Sequence, residues 1–412
     1  MNISRRTLLQ GAGSLALASV GRRAWLPAPS TGFAPGGQVD FPIPDGTTYL
    51  NNAGWHPMST QAMAAVQEYL DRRVHHITEM PSGGQAVKDE VKARFAALIN
   101  ARPAEISFIQ STMMGENLVV SGLGLPAAGG NVVTDALHFD GSMYLYGSLK
   151  ALGLDVRTVR PRDWRIELAD MEKVIDKKTK LVALSLVSYY NGFQHDLKAV
   201  CDLAHAHGAH VYADIIQAAG AVPIDVRASG VDFAACSSFK WLMGDFGLGF
   251  LYVREDLLDR VIRRTQYGYE QTDDVVAHLL PSDAPSKEPY TWTVMKDAGA
   301  HFQVGTMSYA ALAALRQSLQ HIQEVGVTNI QAQRQPLIDR LQREMPRLGF
   351  APLTPEGTTG PIVSFAMKDA ERTAARLRAA NITVGDSMNR LRVSPSVFNN
   401  QGDVDRLLAA LK

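Results

Sequence analysis

Short apolar runs alternate with amphipathic segments along the middle of the chain, from about residue 105 onward. The apolar runs have the length of strands. One intervening segment carries apolar residues at helical spacing from Leu197 to Ala204, and Gly208 ends it. This alternation is typical of an α/β fold with a mostly parallel sheet covered by helices on both faces. The predicted strands are 131–135, 155–159, 181–187, 210–214, 231–237 and 247–253.

The second half of the chain departs from this alternation. Residues 265–305 are polar, aromatic and rich in proline, and they predict a long loop that is either functional or disordered. A single helix is predicted over 308–346. Short strands at 361–367, 381–385 and 391–394, with helices around 370–379 and 403–411, then indicate a smaller α+β domain. We therefore divide the chain into a leader at 1–30, an arm at 31–60, a large domain at 61–305 and a small domain at 306–412.

The first thirty residues have the pattern of an export signal. Arg5 and Arg6 stand between a serine and a Thr-Leu-Leu segment, and a short apolar stretch from Gly11 to Val20 follows. The arginine pair is typical of a twin-arginine signal, and the stretch is too short to span a bilayer. We expect a periplasmic or secreted protein with no membrane association after export; the alternative is a disordered tail. Cleavage after Ala18, or nearer Ala24 or Ala28, fits the small residues present.

Composition excludes little but guides the choice of partners. The chain has 41 Lys and Arg against 41 Asp and Glu, so its formal net charge of +0 does not favour nucleic-acid binding. Its two cysteines, Cys201 and Cys236, fall in a predicted helix and strand, which favours buried residues. Histidines 205, 207 and 210 straddle a helix end and the next strand, and this is not a metal-ligand spacing. We expect no metal site.

Two charged residues follow neighbouring predicted strands. Asp214 ends the strand 210–214, and Lys240 comes soon after the strand 231–237. The carboxyl ends of parallel strands are where such sheets bind ligands, so the two side chains are expected to lie close together. Alone, an Asp in this position often caps a helix, and a Lys commonly lies on the surface. Together they suit pyridoxal phosphate (PLP), which needs a lysine to form an imine and a carboxylate to keep its ring nitrogen protonated.

Eight short landmarks around these residues resemble the class V aminotransferase family, which includes cysteine desulfurases and isopenicillin N epimerase. The resemblance runs from about residue 48 to 411 and implies a fold-type I PLP enzyme. The landmarks are YLNNAG at 49–54, IQSTMM at 109–114, LH at 137–138, VSYYNG at 187–192, ADIIQ at 213–217, SSFK at 237–240, GT at 305–306 and LRVS at 391–394.

The resemblance implies a role for each matching residue. Lys240 carries the cofactor through a Schiff base and then serves as general base, Asp214 pairs with the ring nitrogen, and His138 stacks on the ring. Gln217 lies near the phenolic oxygen of the cofactor. A second contact to that oxygen comes either from Tyr189, which stands where relatives have Asn, or from Asn191.

The phosphate and substrate contacts are implied in the same way. Thr112, Met113 and Ser237 bind the phosphate, and Thr306 reaches it from a neighbouring subunit, which implies a homodimer with shared active sites. Arg392 binds the substrate carboxylate. Asn52 and His56 are placed on the substrate side.

Two further departures from the family pattern refine the expectation. Phe239 replaces a histidine that relatives use as a phosphate ligand, so Ser237 or Ser238 must compensate. No cysteine lies between residues 240 and 412, where a desulfurase keeps its sulfur-accepting nucleophile. Cys236, in a strand, cannot move as a loop thiol does. A desulfurase that forms a persulfide on cysteine is therefore disfavoured.

These observations predict an enzyme that acts on an amino group next to a carboxylate. We expect transamination, or a related tailoring reaction, on an amino acid or an amino-acid unit of a secreted metabolite. An epimerase or a C–S lyase is the alternative. A non-catalytic PLP-fold binding protein is expected to have lost Lys240 or Asp214, and both are present. Tyr267, Tyr269 and Trp292, in the long loop, are expected to line the substrate pocket of the partner subunit.

Overall fold

A seven-stranded sheet forms the centre of the protein. The computed structural model describes residues 40–79, 84–387 and 389–412, so the predicted leader and the first part of the arm lie outside the described residues. The strand order is β2-β8-β7-β6-β5-β3-β4, and only β8 runs antiparallel to its neighbours. The strands of this sheet are β2 (Ile106–Ile109), β3 (Asn131–Asp135), β4 (Asp155–Val159), β5 (Thr179–Ser185), β6 (His210–Asp214), β7 (Phe233–Ser237) and β8 (Gly249–Val253).

Helices cover both faces of this sheet, and its inner strands are therefore buried on both sides. In β6, Val211 and Ala213 join one apolar core while Tyr212 between them joins the other. The mostly parallel α/β fold predicted from the sequence is confirmed. The helices of this part of the chain are α1 (Thr60–His75), α2 (Gln85–Leu98), α3 (Thr112–Gly122), α4 (Asp140–Ala151), α5 (Leu168–Glu172), α6 (Leu197–Ala206) and α7 (Val226–Ser229).

A smaller antiparallel sheet lies toward the C-terminus, in the order β11-β12-β15-β14. Its own apolar core combines residues of this sheet and the last helices with Leu50 of the arm. Its elements are β11 (Ala351–Pro352), β12 (Val363–Ala366), α11 (Ala370–Ala379), β14 (Gly385–Ser387), β15 (Arg390–Val393) and α12 (Gln401–Leu411). The domain boundaries given above stay a prediction.

The region predicted as a long loop is structured. Strands β9 (Thr272–Ala277) and β10 (Tyr290–Val294) pair as an antiparallel hairpin, and the short helix α8 (Ala298–Phe302) follows. Every residue of β10 is exposed. Hydrophobic periodicity reports a strand only when one of its faces is buried, so the pattern along the chain missed this hairpin.

The single helix predicted over 308–346 is two helices. They are α9 (Tyr309–Val325) and α10 (Val327–Glu344), and Gly326 separates them. Gly326 has φ of +81°, a conformation that glycine adopts without strain, and its amide bonds the carbonyl of Ile322. The apolar spacing continues across the break, which explains why the sequence pattern did not show it.

The N-terminal arm is joined to the C-terminal part of the chain. Strand β1 (Thr48–Tyr49) pairs in parallel with β13 (Ile382–Thr383). Just beyond it, the fully buried Asn52 donates from Nδ2 to the Ser394 carbonyl at 2.9 Å and to Oδ1 of Asn399 at 3.3 Å. These contacts give Asn52 a structural role, and its placement on the substrate side stays a prediction.

His56 also has a structural role. Its ring lies against Phe41 and Phe398, and Nε2 is 2.8 Å from the hydroxyl of Ser396. Burial lowers the pKa of His56 to about 4, so the ring is neutral at physiological pH. His56 thus packs between the arm and the C-terminal segment, and its placement on the substrate side stays a prediction.

The described residues contain neither a membrane-spanning helix nor a metal-binding cluster. None of the helices in the described ranges is long and apolar enough to cross a membrane. The same ranges hold no group of three or more His, Cys, Asp or Glu side chains arranged to bind a metal ion.

Replacing Asn52 with alanine tests its structural role. We expect N52A to lower the free energy of unfolding by about 1–3 kcal/mol, because buried hydrogen-bonding groups lose their partner. Denaturant titration measures this. The matched control is Asn117→Ala, which removes an exposed amide bonded within its own helix and should change stability by less than about 0.5 kcal/mol. An N52A protein as stable as the parent would return Asn52 to the substrate side.

Candidate active site

The carboxyl ends of the central strands bring several polar side chains together. Ser185 ends β5 and lies directly beside Asp214, which ends β6. Ser237 ends the next strand, β7, and pairs in register with Gly249. Gly249 in turn pairs with the last residue of β2, so helix α3, which follows β2, begins at the same edge. Sheet topology therefore assembles residues that are far apart in the sequence.

Lys240 lies in the loop after β7. The loop is held by Ser238, whose hydroxyl bonds the carbonyls of Asp245 and Leu248 at 2.7 and 2.8 Å. Burial lowers the pKa of Lys240 to about 8, with Asp214 opposing this effect and Arg392 adding to it. A lysine with a lowered pKa has a larger share of neutral amine near neutral pH, which is the nucleophilic form.

Asp214 is 3% exposed and carries a carboxylate without a cation bonded to it. Its Oδ1 accepts from the amide of Ile216 at 2.9 Å, and its Oδ2 accepts from the hydroxyl of Ser185 at 3.2 Å. Within the described ranges it forms no ion pair shorter than 4.0 Å. Burial raises the pKa of Asp214, against opposing effects of His138 and the Ile216 amide. A cationic ring nitrogen would meet the demand of this buried carboxylate for a positive partner.

His138 is buried beside Asp214 and held at both ring nitrogens. Nδ1 is 2.8 Å from the hydroxyl of Ser185, and Nε2 is 3.1 Å from Oε1 of Glu116. Burial disfavours the charged form of His138, but the Glu116 carboxylate outweighs this effect and the pKa of His138 is raised. The histidine is fixed in orientation and linked to Asp214 through a single hydroxyl.

The start of helix α3 offers a phosphate site. Thr112 and Ser237 are joined by two hydrogen bonds: the amide of Thr112 donates to Oγ of Ser237, and the amide of Ser237 donates to Oγ1 of Thr112, each at 2.9 Å. The Ser111 hydroxyl caps the helix by accepting from the Met114 amide. First-turn amides, including that of Met113, have no acceptor within a helix and are suited to bind an anion.

Phe239 occupies the position where relatives have a histidine, and it is packed rather than hydrogen-bonded. Its ring stacks on Phe246 with centroids 4.7 Å apart. Because the Ser238 hydroxyl is already used within its loop, Ser237 is the hydroxyl that remains available to compensate for the missing histidine.

Arg392 brings a guanidinium from the small sheet to this site. Its two terminal nitrogens donate to the Tyr189 carbonyl and to Oδ1 of Asn51, each at 3.2 Å. Burial lowers the pKa of Arg392 to about 10, and its Nε is buried without an acceptor in the described residues. The side chain stays charged at neutral pH and retains donor capacity for a carboxylate.

Tyr189 lies close to two arginines, Arg390 and Arg392. Arg390, two residues before Arg392, stacks on the neighbouring Tyr190 at 4.1 Å and approaches Tyr189 at 5.4 Å. Burial raises the pKa of Tyr189 to about 12. The phenol is therefore a hydrogen-bond donor under all ordinary conditions.

Two of the expected cofactor contacts are used elsewhere. Asn191 donates to the carbonyls of Trp164 and Leu353 at 2.9 and 3.0 Å and accepts from the Phe193 amide, so its side chain is occupied and Tyr189 is the better candidate for the phenolic oxygen. Gln217 donates to the Ala53 carbonyl and accepts from the indole of Trp241. Only its second amide hydrogen is left for a ligand.

Thr306 is exposed, and its hydroxyl meets that of Tyr269. Tyr267, Tyr269 and Trp292 are 79%, 53% and 59% exposed. They line a surface cavity of about 640 Å³ with residues of the hairpin. This surface is separate from the buried contacts around Lys240 described above.

The sequence patterns did not identify Glu116, Ser185 and Asn51 as site residues. Glu116 is fully buried on α3 in a segment otherwise dominated by apolar residues. A charged residue inside such a segment is the one signal that singles it out, since burial of an unpaired carboxylate is costly.

These residues fit PLP. Lys240 can hold it, the buried carboxylate of Asp214 lacks the cation that its ring nitrogen would supply, and the start of α3 suits its phosphate. Tyr189 is suited to contact the cofactor ring, and Arg392 is suited to bind the substrate.

Comparison with known proteins agrees with this geometry. The family model described as aminotransferase class-V matches residues 48–407. A probable cysteine desulfurase of Methanothermobacter thermautotrophicus is 28% identical over 298 residues, covering 71% of this chain and 70% of the relative. An uncharacterised aminotransferase of Bacillus subtilis is 25% identical over 370 residues, covering 88% and 93%.

Solved structures share the fold. The apo cysteine desulfurase of Thermococcus onnurineus superposes with a TM-score of 0.78 at 24% identity, covering 91% of this chain and 96% of that one. A mutant of the cystine C–S lyase C-DES, whose structure carries the PLP cofactor, gives 0.77 at 21% identity, covering 91% and 98%. The chain belongs to the class V aminotransferase family and is a PLP-dependent enzyme.

Proposed function

We propose that the enzyme transfers the amino group of an amino acid, or of an amino-acid unit in a secreted metabolite. The observation that carries this proposal is that Arg392 is held in the site by the Tyr189 carbonyl and Asn51, keeps a buried Nε donor without an acceptor in the described residues, and lies close enough to Lys240 to help lower the pKa of its amine. An α-amino acid presents an amino group and a carboxylate a short distance apart, which suits such a pair.

Each residue has a defined task in this reaction. Arg392 binds the substrate carboxylate through its planar fork and so orients the α-carbon. Lys240, as a neutral amine, takes the proton from that carbon as general base. Asp214 keeps the ring nitrogen of the cofactor protonated. PLP, when bound, supplies the electron-accepting ring that stabilises negative charge at the α-carbon.

The cysteines argue against the reaction after which several relatives are named. A desulfurase that forms a persulfide on cysteine needs an accessible thiolate. Cys201 and Cys236 are fully buried, and burial raises the pKa of the Cys201 thiol to about 12 and that of Cys236 well above its usual value. Neither thiol meets the requirements of a sulfur acceptor.

A substrate panel tests the proposal. The holoenzyme is incubated with L- and D-amino acids and with peptides bearing a free amino end, each with pyruvate or 2-oxoglutarate as amino acceptor. We expect a keto product and an aminated acceptor, detected by mass spectrometry. K240A, the control for background reaction, should be slower by roughly 10²- to 10⁴-fold because the general base is lost.

The alternatives have distinct products. Inversion with deuterium uptake at the α-carbon in D₂O indicates an epimerase. Release of thiol and pyruvate without an acceptor indicates a C–S lyase. Either result, in the absence of a keto product from the amino donor and of an aminated acceptor, contradicts transamination.

We also propose that the enzyme is a homodimer in which Thr306 contributes to the phosphate site of the partner. Its exposed position and the exposed aromatic residues Tyr267, Tyr269 and Trp292 support this, because large apolar side chains at a surface are typical of an interface. The dimer would bury them against the substrate pocket of the other subunit.

Mixing two impaired variants tests the shared site. K240A lacks the lysine, and T306E places a negative charge where phosphate is expected. If Thr306 acts across the interface, a mixed dimer has one intact site, so an equal mixture should recover about a quarter of parent activity. Co-expression with two affinity tags yields the mixed species. No recovery, or full activity in a monomer by ultracentrifugation, contradicts the shared site.

Finally, we propose export by the twin-arginine route. The paired Arg5 and Arg6 support it, because paired arginines are typical of a twin-arginine signal. Paired lysines would carry the same charge but lack the planar donor geometry of guanidinium groups. The route carries folded proteins, which suits an enzyme that binds its cofactor only when folded.

Replacing Arg5 and Arg6 by lysines should leave the protein in the cytoplasm, folded and with bound cofactor. Cell fractionation with absorbance of the bound cofactor measures both properties. The site lies far along the chain, so cofactor binding is the internal control for folding. A Lys-Lys variant found in the periplasm at parent level contradicts this route, since a general secretory signal needs only the positive charge.

A further inference from the structure

Four buried side chains form a continuous hydrogen-bonded line behind the site, which we call the buried relay: Glu116, His138, Ser185 and Asp214. Glu116 Oε1 lies 3.1 Å from Nε2 of His138, Nδ1 of His138 lies 2.8 Å from the Ser185 hydroxyl, and that hydroxyl lies 3.2 Å from Oδ2 of Asp214. The Ser142 hydroxyl donates to the other oxygen of Glu116 at 2.5 Å. All five side chains are buried.

With Asp214 ionised, as its pairing with a cationic ring nitrogen requires, the hydrogens along the relay can be counted. Ser185 has one hydroxyl hydrogen, and an ionised Asp214 can only accept, so this hydrogen points to Asp214. The Ser185 oxygen must then accept from Nδ1–H of His138. The remaining contact, between Nε2 of His138 and Glu116, also needs one hydrogen. His138 and Glu116 together therefore hold one proton more than a neutral imidazole and a carboxylate.

The surroundings favour retention of this proton. Oδ2 of Asp135, the other acidic neighbour, lies 3.2 Å from Nε2 of His195. Burial raises the pKa of Tyr146, Tyr212 and Cys236, which therefore stay neutral. The titratable groups that face the relay are Glu116 of α3, Asp135 at the end of β3, Tyr146 of α4, Tyr212 and Asp214 of β6, Cys236 of β7, and His195 and Lys240 from loops.

Loss of the Glu116 charge would weaken the hydrogen bonding of Asp214. Without that carboxylate, burial dominates and His138 becomes neutral. A neutral His138 can accept at Nδ1, which allows the Ser185 hydroxyl to turn toward it and away from Asp214. Asp214 would then lose one of its two hydrogen-bond donors and become a weaker partner for a cationic ring nitrogen.

We propose that Glu116 is a positioning residue: it shares a proton with His138 and, through Ser185, holds the Asp214 carboxylate in the ionised form that pairs with the cofactor ring. This role deepens the proposed function and rests on its assignment of Asp214 to the ring nitrogen. Glu116 does not contact Asp214 and acts on it through His138 and Ser185.

Titration of His138 tests the first half of the proposal without cofactor or substrate. Histidine side chains labelled with ¹⁵N are followed by NMR in the apoprotein, and H138N identifies the signal. In the parent, His138 should remain protonated above the usual range for histidine. In E116Q its titration should move down by roughly one to three pH units. A parent His138 that loses its proton below pH 6.5 overturns the proposal, whatever the behaviour of E116Q.

The second half is tested on the holoenzyme. In E116Q the pH dependence of the absorbance band of the bound cofactor should shift, and the dissociation constant for PLP should rise about tenfold, as expected for loss of one buried hydrogen bond. S185A separates the two halves: it should reproduce this cofactor effect while His138 still titrates as in the parent. Glu90→Gln, on a partly exposed ion pair, is the control and should change neither measurement.

The outcomes are distinct from those of the substrate panel. If His138 shifts in E116Q but the cofactor band and affinity do not, the link to Asp214 is wrong. If neither shifts, the shared proton is wrong. If both shift while the panel yields only epimerisation or elimination, the relay stands and the proposed transamination fails.

Discussion

The burial of the Asp214 carboxylate at the end of a central strand is the constraint on which the site depends. A carboxylate removed from water is stable only with donors or a positive partner, and here the protein supplies two donors. The strands on the two sides of β6 end in Ser185 and Ser237, and the loop after β7 brings in Lys240. Because the sheet is close-packed on both faces, the strand ends that carry Asp214, Ser185 and Ser237 are fixed in position.

The second constraint is that the substrate side is supplied by the C-terminal part of the chain. Arg392 lies on a strand of the small sheet, and its guanidinium bonds the Tyr189 carbonyl in the turn after β5 and Asn51 of the arm. The pairing of β1 with β13, in a separate two-stranded sheet, and a bridge between Asn51 and Ser394 hold the arm against the C-terminal part of the chain. Arg392 is therefore held where three separate chain segments meet, and Asn52 and His56 fix the arm against the C-terminal segment there.

The sequence predicted most of the fold because burial leaves a periodic trace. Strands β3, β4 and β6 have the predicted bounds: β3 and β6 are almost wholly buried, and the edge strand β4 buries Val156 and Val159 among exposed polar residues. The exposed hairpin and the break at Gly326 leave no such trace. In the site, Lys240 and Asp214 were found because the carboxyl ends of strands are functional positions. Glu116 and the true contacts of Asn191 and Gln217 depend on side-chain orientation, which spacing along a chain does not encode.

The full burial of both cysteines has a practical consequence for measuring how subunits and elements are arranged. The native thiols present no competing reactive group at the surface, so the parent sequence is already a background for site-specific labelling. A single cysteine placed on the exposed hairpin would carry a spin label or fluorophore alone. Distances between such labels would then report directly on how close the hairpins of two subunits lie, with no need to remove Cys201 or Cys236 from the core.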